Sequence, residues 1–265
     1  MLSKTLLVVS DKFHHFAIKN DVITKSELCS LLCTDNLIFP ESTKVHLILG
    51  QGFSDKALRH IINLLSTSKH SKYFDFKMLD FVPKRASKQL THKHKAENIL
   101  ISQPQRQSES IFKMEMLIDE ECEMMGDHQT GLHIQGMILV EAARQASMAV
   151  IEHFLVKNTD EKLYFVFNNL NVNYNRFAFP LPTTLKVTIT KRDESKEKRR
   201  HYIMSVDVIQ CGNISASLSL DGTMMPDKRV LNMENRFANQ SLDEYKRHIA
   251  TSYIKEHVSV GAGHA

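Results

Sequence analysis

One stretch near the middle of the 265-residue chain constrains the fold more than any other. From Gly136 to Val156 the sequence contains no proline, and its apolar side chains would cover most of the circumference of a helix. A helix that is apolar nearly all round has to be buried by the rest of the protein. We therefore predict one buried helix over residues 135–156.

Four polar residues interrupt this apolar helix. Glu141, Gln145 and Glu152 are spaced i, i+4 and i+11, which places them on one stripe, and Arg144 lies beside them. Burying charges is costly unless they pair, form hydrogen bonds or serve a site. Two interpretations stay open at this point: a functional site, or a buried network that supports the fold or a dimer interface.

The segments around the helix have the pattern of strands. After it come one apolar-rich segment with interspersed asparagines and three in which apolar and polar residues alternate: Leu163–Tyr174, Leu185–Thr190, Tyr202–Val208 and Ile214–Leu220. Period-2 patterns joined by short turns predict an antiparallel sheet with one covered face. Before the helix, Ala96–Ile101 and Ser108–Asp119 are predicted strands. The fold class is therefore α+β, with a sheet from residues 96–225 wrapped round the helix.

The first part of the chain has a different order of elements. Three predicted strands alternate with two predicted helices, in the order Leu6–Val9, Thr24–Leu32, Lys44–Leu49, Ser54–Leu65 and Phe74–Phe81. This order predicts a small α/β unit with parallel pairing. The junction at Gly50 and Gly52 is either a tight turn or a phosphate site at a helix N-terminus, although the third glycine of the dinucleotide fingerprint is missing.

A basic connector, Pro83–Lys95, separates the two patterns. We place the domain boundaries there and after the last strand, which gives a small α/β domain over 1–85, a second domain over 86–226 and a C-terminal helix and tail over 227–265. The helix of the tail is predicted from Ser241 to about His257.

Composition excludes several classes of protein. The net charge is +4 and the basic residues are spread along the chain, which is short of the clustered pattern of nucleic-acid-binding proteins. Four cysteines are too few for a disulfide scaffold, and no apolar run approaches the roughly 20 residues of a membrane span. We expect a cytoplasmic protein with no metal, no cofactor and neither nucleic acid nor membrane as a partner.

The helix sequence resembles a known family. The string from His133 to Ala146, His-Ile-Gln-Gly-Met-Ile-Leu-Val-Glu-Ala-Ala-Arg-Gln-Ala, is similar to the signature of the A-factor biosynthesis (AfsA-type) hotdog family. Thr91-His92-Lys93 is similar to the family's lead into its first strand. Leu132 and Gln135 depart from the pattern, which often has Asp and Pro there. The family often carries two hotdog repeats, whereas this chain has the pattern of one.

The resemblance implies both a fold and an activity. The fold is the hotdog, an antiparallel sheet wrapped round a long helix. The activity is transfer of a β-ketoacyl group from an acyl carrier protein or CoA to the hydroxyl of a small acceptor such as a three-carbon phosphate, on the way to a butyrolactone signal. Other hotdog proteins are dehydratases and thioesterases. The alternative is a non-catalytic acyl-binding or regulatory protein, and in either case a homodimer is expected.

The residues themselves fit thioester chemistry. A thioester carbonyl develops negative charge when it is attacked, and amides at a helix N-terminus stabilise that charge. Gly136 lies at this N-terminus, where a missing Cβ lets a ligand approach. Glu141 is the predicted general base, since burial would raise its pKa, while Arg144 would oppose the rise.

The remaining candidates complete the predicted site. His133 and His128 are possible second acid/base groups. Arg144 is a candidate for holding a phosphate. Gln145 and Asp127 are the other predicted substrate-binding residues. If Glu141 is the base, replacing it by Gln should reduce the rate by roughly two to four orders of magnitude.

Overall fold

A computed structural model describes residues 3–35, 44–127, 129–156, 163–196 and 199–261. In chain order, its strands and α-helices are β1 (Ser3–Val9), α1 (His14–Ala17), β2 (Val22–Thr24), α2 (Lys25–Cys33), β3 (Lys44–Leu49), α3 (Asp55–Thr67), β4 (Phe74–Asp75), α4 (Lys88–Thr91), β5 (Gln105–Arg106), β6 (Ile111–Glu115), α5 (Gly136–Val150), β7 (Leu163–Tyr174), β8 (Thr184–Lys196), β9 (Arg199–Gln210), β10 (Asn213–Pro226) and α6 (Asp227–Gly261).

The larger sheet is antiparallel and wraps round α5. Its strand order is β5-β6-β8-β9-β10-β7, so β7 forms one edge. Helix α5 packs against β7, β8, β9 and β10 and continues as a π-helical turn over Ile151–Leu155. Most of its apolar residues are fully buried, including Ile138, Ala142 and Ala146, whereas Met137 in its first turn is exposed. The predicted fold class, a sheet wrapped round a long buried helix, is confirmed.

The smaller sheet is parallel, with the order β2-β1-β3-β4. Its two faces are both covered, because Val8 packs with the side chains of α2 and α3, whereas Val9 on the opposite face packs with the core around α5. A strand that is buried on both faces reads as a continuous apolar run, which explains the sequence of β1. The α/β unit therefore shares a core with the larger sheet, while the domain boundaries given above stay predictions.

Two predicted helix starts are confirmed by their caps. The Thr24 hydroxyl accepts from the Glu27 amide, and the Glu27 carboxylate accepts from the Thr24 amide, which is a capping box. The Ser54 hydroxyl accepts from the Ala57 amide at the start of α3.

Two predicted strands are wrong in extent. Residues 96–98 form a 3₁₀ turn, because the Gln145 side chain binds the Leu100 amide and the Asn98 carbonyl. In the segment 74–81, only Phe74 and Asp75 pair with β3, and a 3₁₀ turn follows over Lys77–Phe81. Residues 74–81 do alternate, but in neither place does the described part of the chain provide a neighbouring strand along the full length of the predicted strand.

The Gly50–Gly52 turn attaches the α/β unit to the larger sheet and is not arranged as a phosphate site. The amide of Gln51 donates to the Pro180 carbonyl, and the amides of Gly52 and Phe53 donate to the Ile118 carbonyl. Donors that are already bonded to the protein are not available to a phosphate. A Cβ on Gly50 would lie 2.3 Å from the Pro180 oxygen, so glycine is needed for this close approach. The tight-turn interpretation is confirmed.

The C-terminal helix is longer than predicted. It begins at Asp227, directly after β10, and contains 35 residues, whereas the sequence pattern placed its start at Ser241. Its first turn packs against β10 and β7, and Val230 is buried there. None of the helices in the described ranges is long and apolar enough to cross a membrane.

Candidate active site

The polar stripe of α5 forms an ionic network centred on Glu141. Arg144 binds this carboxylate with two hydrogen bonds of 2.8 Å, from Nε and Nη2. Lys93 Nζ lies 2.7 Å from Glu141 Oε1, and Gln145 Nε2 donates to the same oxygen over 3.0 Å. Planar pairing of a guanidinium with a carboxylate is among the stronger polar interactions in proteins.

The partners of this stripe come from the segment that carries the other part of the resemblance. Arg144 Nη2 donates to the Thr91 carbonyl over 3.3 Å, and His92 Nε2 lies 3.1 Å from Glu152 Oε1. Lys93 contacts Glu141, as described above. The segment Thr91-His92-Lys93 is therefore fastened to α5 at three consecutive residues.

The ionic network changes the pKa of Glu141 in the direction opposite to that needed by a general base. Burial raises the pKa, but the hydrogen bonds from Arg144 and Lys93 and the charge of Arg144 outweigh this effect and lower the pKa to about 2. A carboxylate of such low pKa accepts a proton poorly near neutral pH. The geometry thus fits Glu141 as an anchor, and its catalytic role stays an untested prediction.

Two predicted substrate-binding residues are occupied by structural contacts. Gln145 is fully buried; its Oε1 accepts from the Leu100 amide, and its Nε2 donates to the Asn98 carbonyl, each over 2.8 Å. The Arg144 guanidinium is bound to Glu141 and to the Thr91 carbonyl. Both side chains hold the segment 91–100 against α5 in this arrangement, and their binding of substrate stays a prediction.

The N-terminus of α5 is the part of the site that stays open. Gln135 occupies the N-cap position without making a side-chain cap. The first amides of a helix have no partner within it, and within the described residues those of Gly136 and Met137 make no hydrogen bond. Met137 is 60% exposed, so this end of the helix lies at the protein surface.

Tyr174, which the sequence analysis did not single out, occupies the space over Gly136. A Cβ on Gly136 would lie 2.8 Å from the Tyr174 hydroxyl oxygen and 2.9 Å from two of its ring carbons. Glycine is thus needed here for packing of the tyrosine, whose ring fills the space of the missing Cβ, and substrate binding at Gly136 stays a prediction. Burial raises the pKa of the Tyr174 hydroxyl. Its only sequence signal is its position as the last residue of an apolar-rich strand.

His133 lies beside this helix end. Its Nδ1 is 3.1 Å from the Thr130 hydroxyl oxygen, and its ring packs edge-on against Phe177 with centroids 5.0 Å apart. Ile134, the next residue, forms a β-bridge with Ala178, which fixes the loop. The structure therefore brings His133, Tyr174 and the first amides of α5 together at one surface.

The two other predicted residues lie in the preceding loop. Asp127 is exposed, and its carbonyl accepts a hydrogen bond from the Gln135 side chain. His128 lies outside the described residues. Within the ranges given above, no group of three or more His, Cys, Asp or Glu side chains is placed to hold a metal ion.

The arrangement of a curved antiparallel sheet around α5 is that of a hotdog protein. The family model of the A-factor biosynthesis hotdog domain matches residues 76–226, which is more than half of the chain. The chain belongs to the A-factor biosynthesis hotdog family, and the resemblance seen in the sequence is confirmed.

Solved structures with a similar arrangement include a mutant thioesterase from Pseudomonas aeruginosa, with 18% identity over 48% of this chain and 81% of that chain, at a TM-score of 0.36. A mutant thioesterase from Staphylococcus aureus has 13% identity over 46% of this chain and 92% of that chain, at a TM-score of 0.36. Because these TM-scores are below 0.5, the likenesses carry no argument about this chain. No curated protein matches it.

Proposed function

We propose that this protein is a cytoplasmic acyl-thioester enzyme. It transfers a (β-keto)acyl group from an acyl carrier protein or CoA to a small hydroxylated acceptor, in the biosynthesis of a butyrolactone-type signal or a secondary metabolite. One observation carries the proposal: the uncapped N-terminus of a buried helix opens at the surface beside His133 and Tyr174.

The chemistry follows from that geometry. The acceptor oxygen attacks the thioester carbonyl, and the carbonyl oxygen takes up negative charge beside the amides of Gly136 and Met137. His133 accepts the proton of the acceptor hydroxyl. When the tetrahedral intermediate collapses, the carbon–sulfur bond breaks, and the histidine returns that proton to the departing thiolate. The products are an ester and a free thiol, and no further reactant is needed.

Glu141 acts at a distance in this proposal. Its carboxylate fixes Lys93 and Arg144, and with them the segment 91–94, against α5. It is therefore a positioning residue, while His133 is the proposed acid/base group. The role of His128 remains as predicted from the sequence.

Assembly belongs to the same proposal. Strand β7 is a 12-residue edge strand without charge or proline, and it exposes the large side chains of Tyr164, Phe167, Leu170 and Tyr174. Long uncharged edge strands are sites of pairing with another chain. A homodimer formed through β7 would cover this edge.

The deciding experiment is product identification by mass spectrometry. The protein is mixed with a β-ketoacyl carrier protein and dihydroxyacetone phosphate, and with each component omitted in turn. An ester supports the acyltransferase; free β-keto acid without ester supports a thioesterase instead.

The alternative is a non-catalytic acyl-binding protein. It is favoured by the full occupation of Arg144, Gln145 and Glu141 in structural contacts, which leaves few polar side chains for catalysis. In that case the acyl donor binds and is recovered unchanged.

A further inference from the structure

Helix α6 has an apolar stripe that the described residues of its own chain leave exposed. Leu231, Leu242, Tyr245 and Ile249 are exposed, and their spacing places them within about 60° of each other on the helix surface. Isolated helices are marginal in water, and most helices gain their stability from packing of an apolar face. Helix α6 is about 52 Å long at 1.5 Å per residue. Its contacts with β10 and β7 are at its start, so most of this length lies beyond them.

A second uncovered apolar surface lies at the candidate active site. Met137 is 60% exposed, Tyr174 is 55% exposed and Phe177 is 70% exposed. A thioester held beside these side chains would stand in water, which would compete with the acceptor for the acyl group. An apolar cover would remove that water.

The two surfaces lie at opposite ends of the same edge strand. Pro226, directly before α6, pairs with Leu163 at the first end of β7, and Tyr174 is at the other end. A two-fold axis that joins two copies of β7 makes them antiparallel. The Leu163 end of one copy then lies beside the partner's Tyr174. Each α6 therefore starts next to the active site of the other copy.

We infer that α6 of one copy packs its apolar stripe against the second copy, with the first turns of the helix over the candidate active site there. This inference rests on the dimer in the proposed function. Its occupant is a second copy of this chain, and the site is complete only when the partner supplies α6.

The available area supports this arrangement. At roughly 100 Å² per exposed large side chain, the four residues of β7 offer on the order of 400 Å² per copy. That is short of the roughly 800 Å² per partner of a stable interface. The four stripe residues of α6, with Met137 and Phe177, bring the total to about 1,000 Å² per copy. The edge strand and the helix together therefore offer the area of a stable interface, whereas neither offers it alone.

Photo-crosslinking of the full chain tests this contact. A benzoylphenylalanine replaces Leu231, which is on the stripe near the start of the helix, and in a control protein replaces Arg229, which is exposed on the opposite side of the helix. Mixed ¹⁵N-labelled and unlabelled subunits distinguish contacts between copies from contacts within one. We expect cross-links between copies from position 231 to peptides containing residues 132–137 or 174–177, at least tenfold more abundant than from position 229.

The outcomes separate the two proposals. A dimer in sedimentation without these cross-links, or with cross-links only inside one chain, overturns the role of α6 and leaves the dimer standing. A monomer overturns both the dimer and the role of α6, while the ester assay still judges the chemistry. A Leu242→Asp, Ile249→Asp double variant should weaken dimerisation at least tenfold, and Gln240→Lys should not; equal dimerisation of the two would also overturn the role of α6.

Discussion

Lys93 Nζ lies 2.7 Å from Glu141 Oε1, and this ion pair joins the segment before the large sheet to the central helix. The two residues belong to separate stretches of sequence that both resemble the A-factor biosynthesis family. Their contact gives a physical reason why the two stretches occur together, because the cationic segment and the acidic stripe of α5 bind each other. The charged part of the helix signature thus fixes the fold next to the open helix N-terminus, where we propose that the chemistry takes place.

Replacing Glu141 by Gln tests the anchoring role. We expect the free energy of unfolding to fall by about 2 to 3 kcal/mol, because Arg144 and Lys93 lose their half-buried counter-charge. Turnover should stay within about tenfold of the wild type. If Glu141 were the general base, turnover would instead fall by roughly two to four orders of magnitude. Urea unfolding and the initial rate of ester formation measure the two effects. Glu152→Gln on the same stripe is the control, because His92 is the one ion-pair partner of Glu152 among the described residues.

The low pKa of Glu141 makes a pH-dependent contribution to stability. The folded-state value of about 2 is below the ordinary 4.5, so the stabilisation is present above pH 4.5 and is lost as the pH falls towards 2. Its upper size is about 3 kcal/mol. Urea unfolding of the wild type and Glu141→Gln between pH 7 and pH 2.5 should show a difference that shrinks below pH 4.5. A difference that is constant over this range would contradict the ion-pair explanation.

Gly136→Ala tests the packing of Tyr174 at the helix N-terminus. The new methyl group would lie 2.8 Å from the tyrosine oxygen, so we expect a loss of about 1 to 3 kcal/mol in unfolding free energy. Tyr174→Ala should relieve the clash, and the double variant should be more stable than the sum of the single effects implies. Thermal unfolding of the four proteins measures this coupling. Strict additivity would mean that the two residues do not meet.

The dimer proposal predicts the effect of a charge on the edge strand. Leu170→Lys should convert a homodimer into a monomer, because the lysines of two antiparallel copies of β7 would desolvate at the interface. Light scattering at micromolar concentration measures the mass. Ile18→Lys, at an exposed position of the α/β unit, should leave the dimer intact. A monomeric wild type would refute the proposal.

The main features of the fold follow from the sequence because they depend on local periodicity. The apolar circumference of α5 and the period-2 strands are sufficient to predict the sheet wrapped round a helix. The extent of the predicted strand Ala96–Ile101 does not follow from local periodicity. Gln145, which is distant in sequence, forms hydrogen bonds with the backbone groups of Asn98 and Leu100. The same holds for Tyr174 over Gly136 and for the ion pairs of Glu141, whose partners become neighbours only in the folded chain.

The most direct measurement of the central claim is the rate of ester formation when one amide is removed from the N-terminus of α5. Met137→Pro deletes a donor in the first helical turn, where amides have no partner within the helix, and Met137→Ala controls for the side chain. We expect ester from the wild type and from Met137→Ala, and a rate about 100-fold lower from Met137→Pro with little loss of thermal stability. No ester from the wild type, or an unchanged rate in Met137→Pro, would contradict an acyl-transfer site at this helix end.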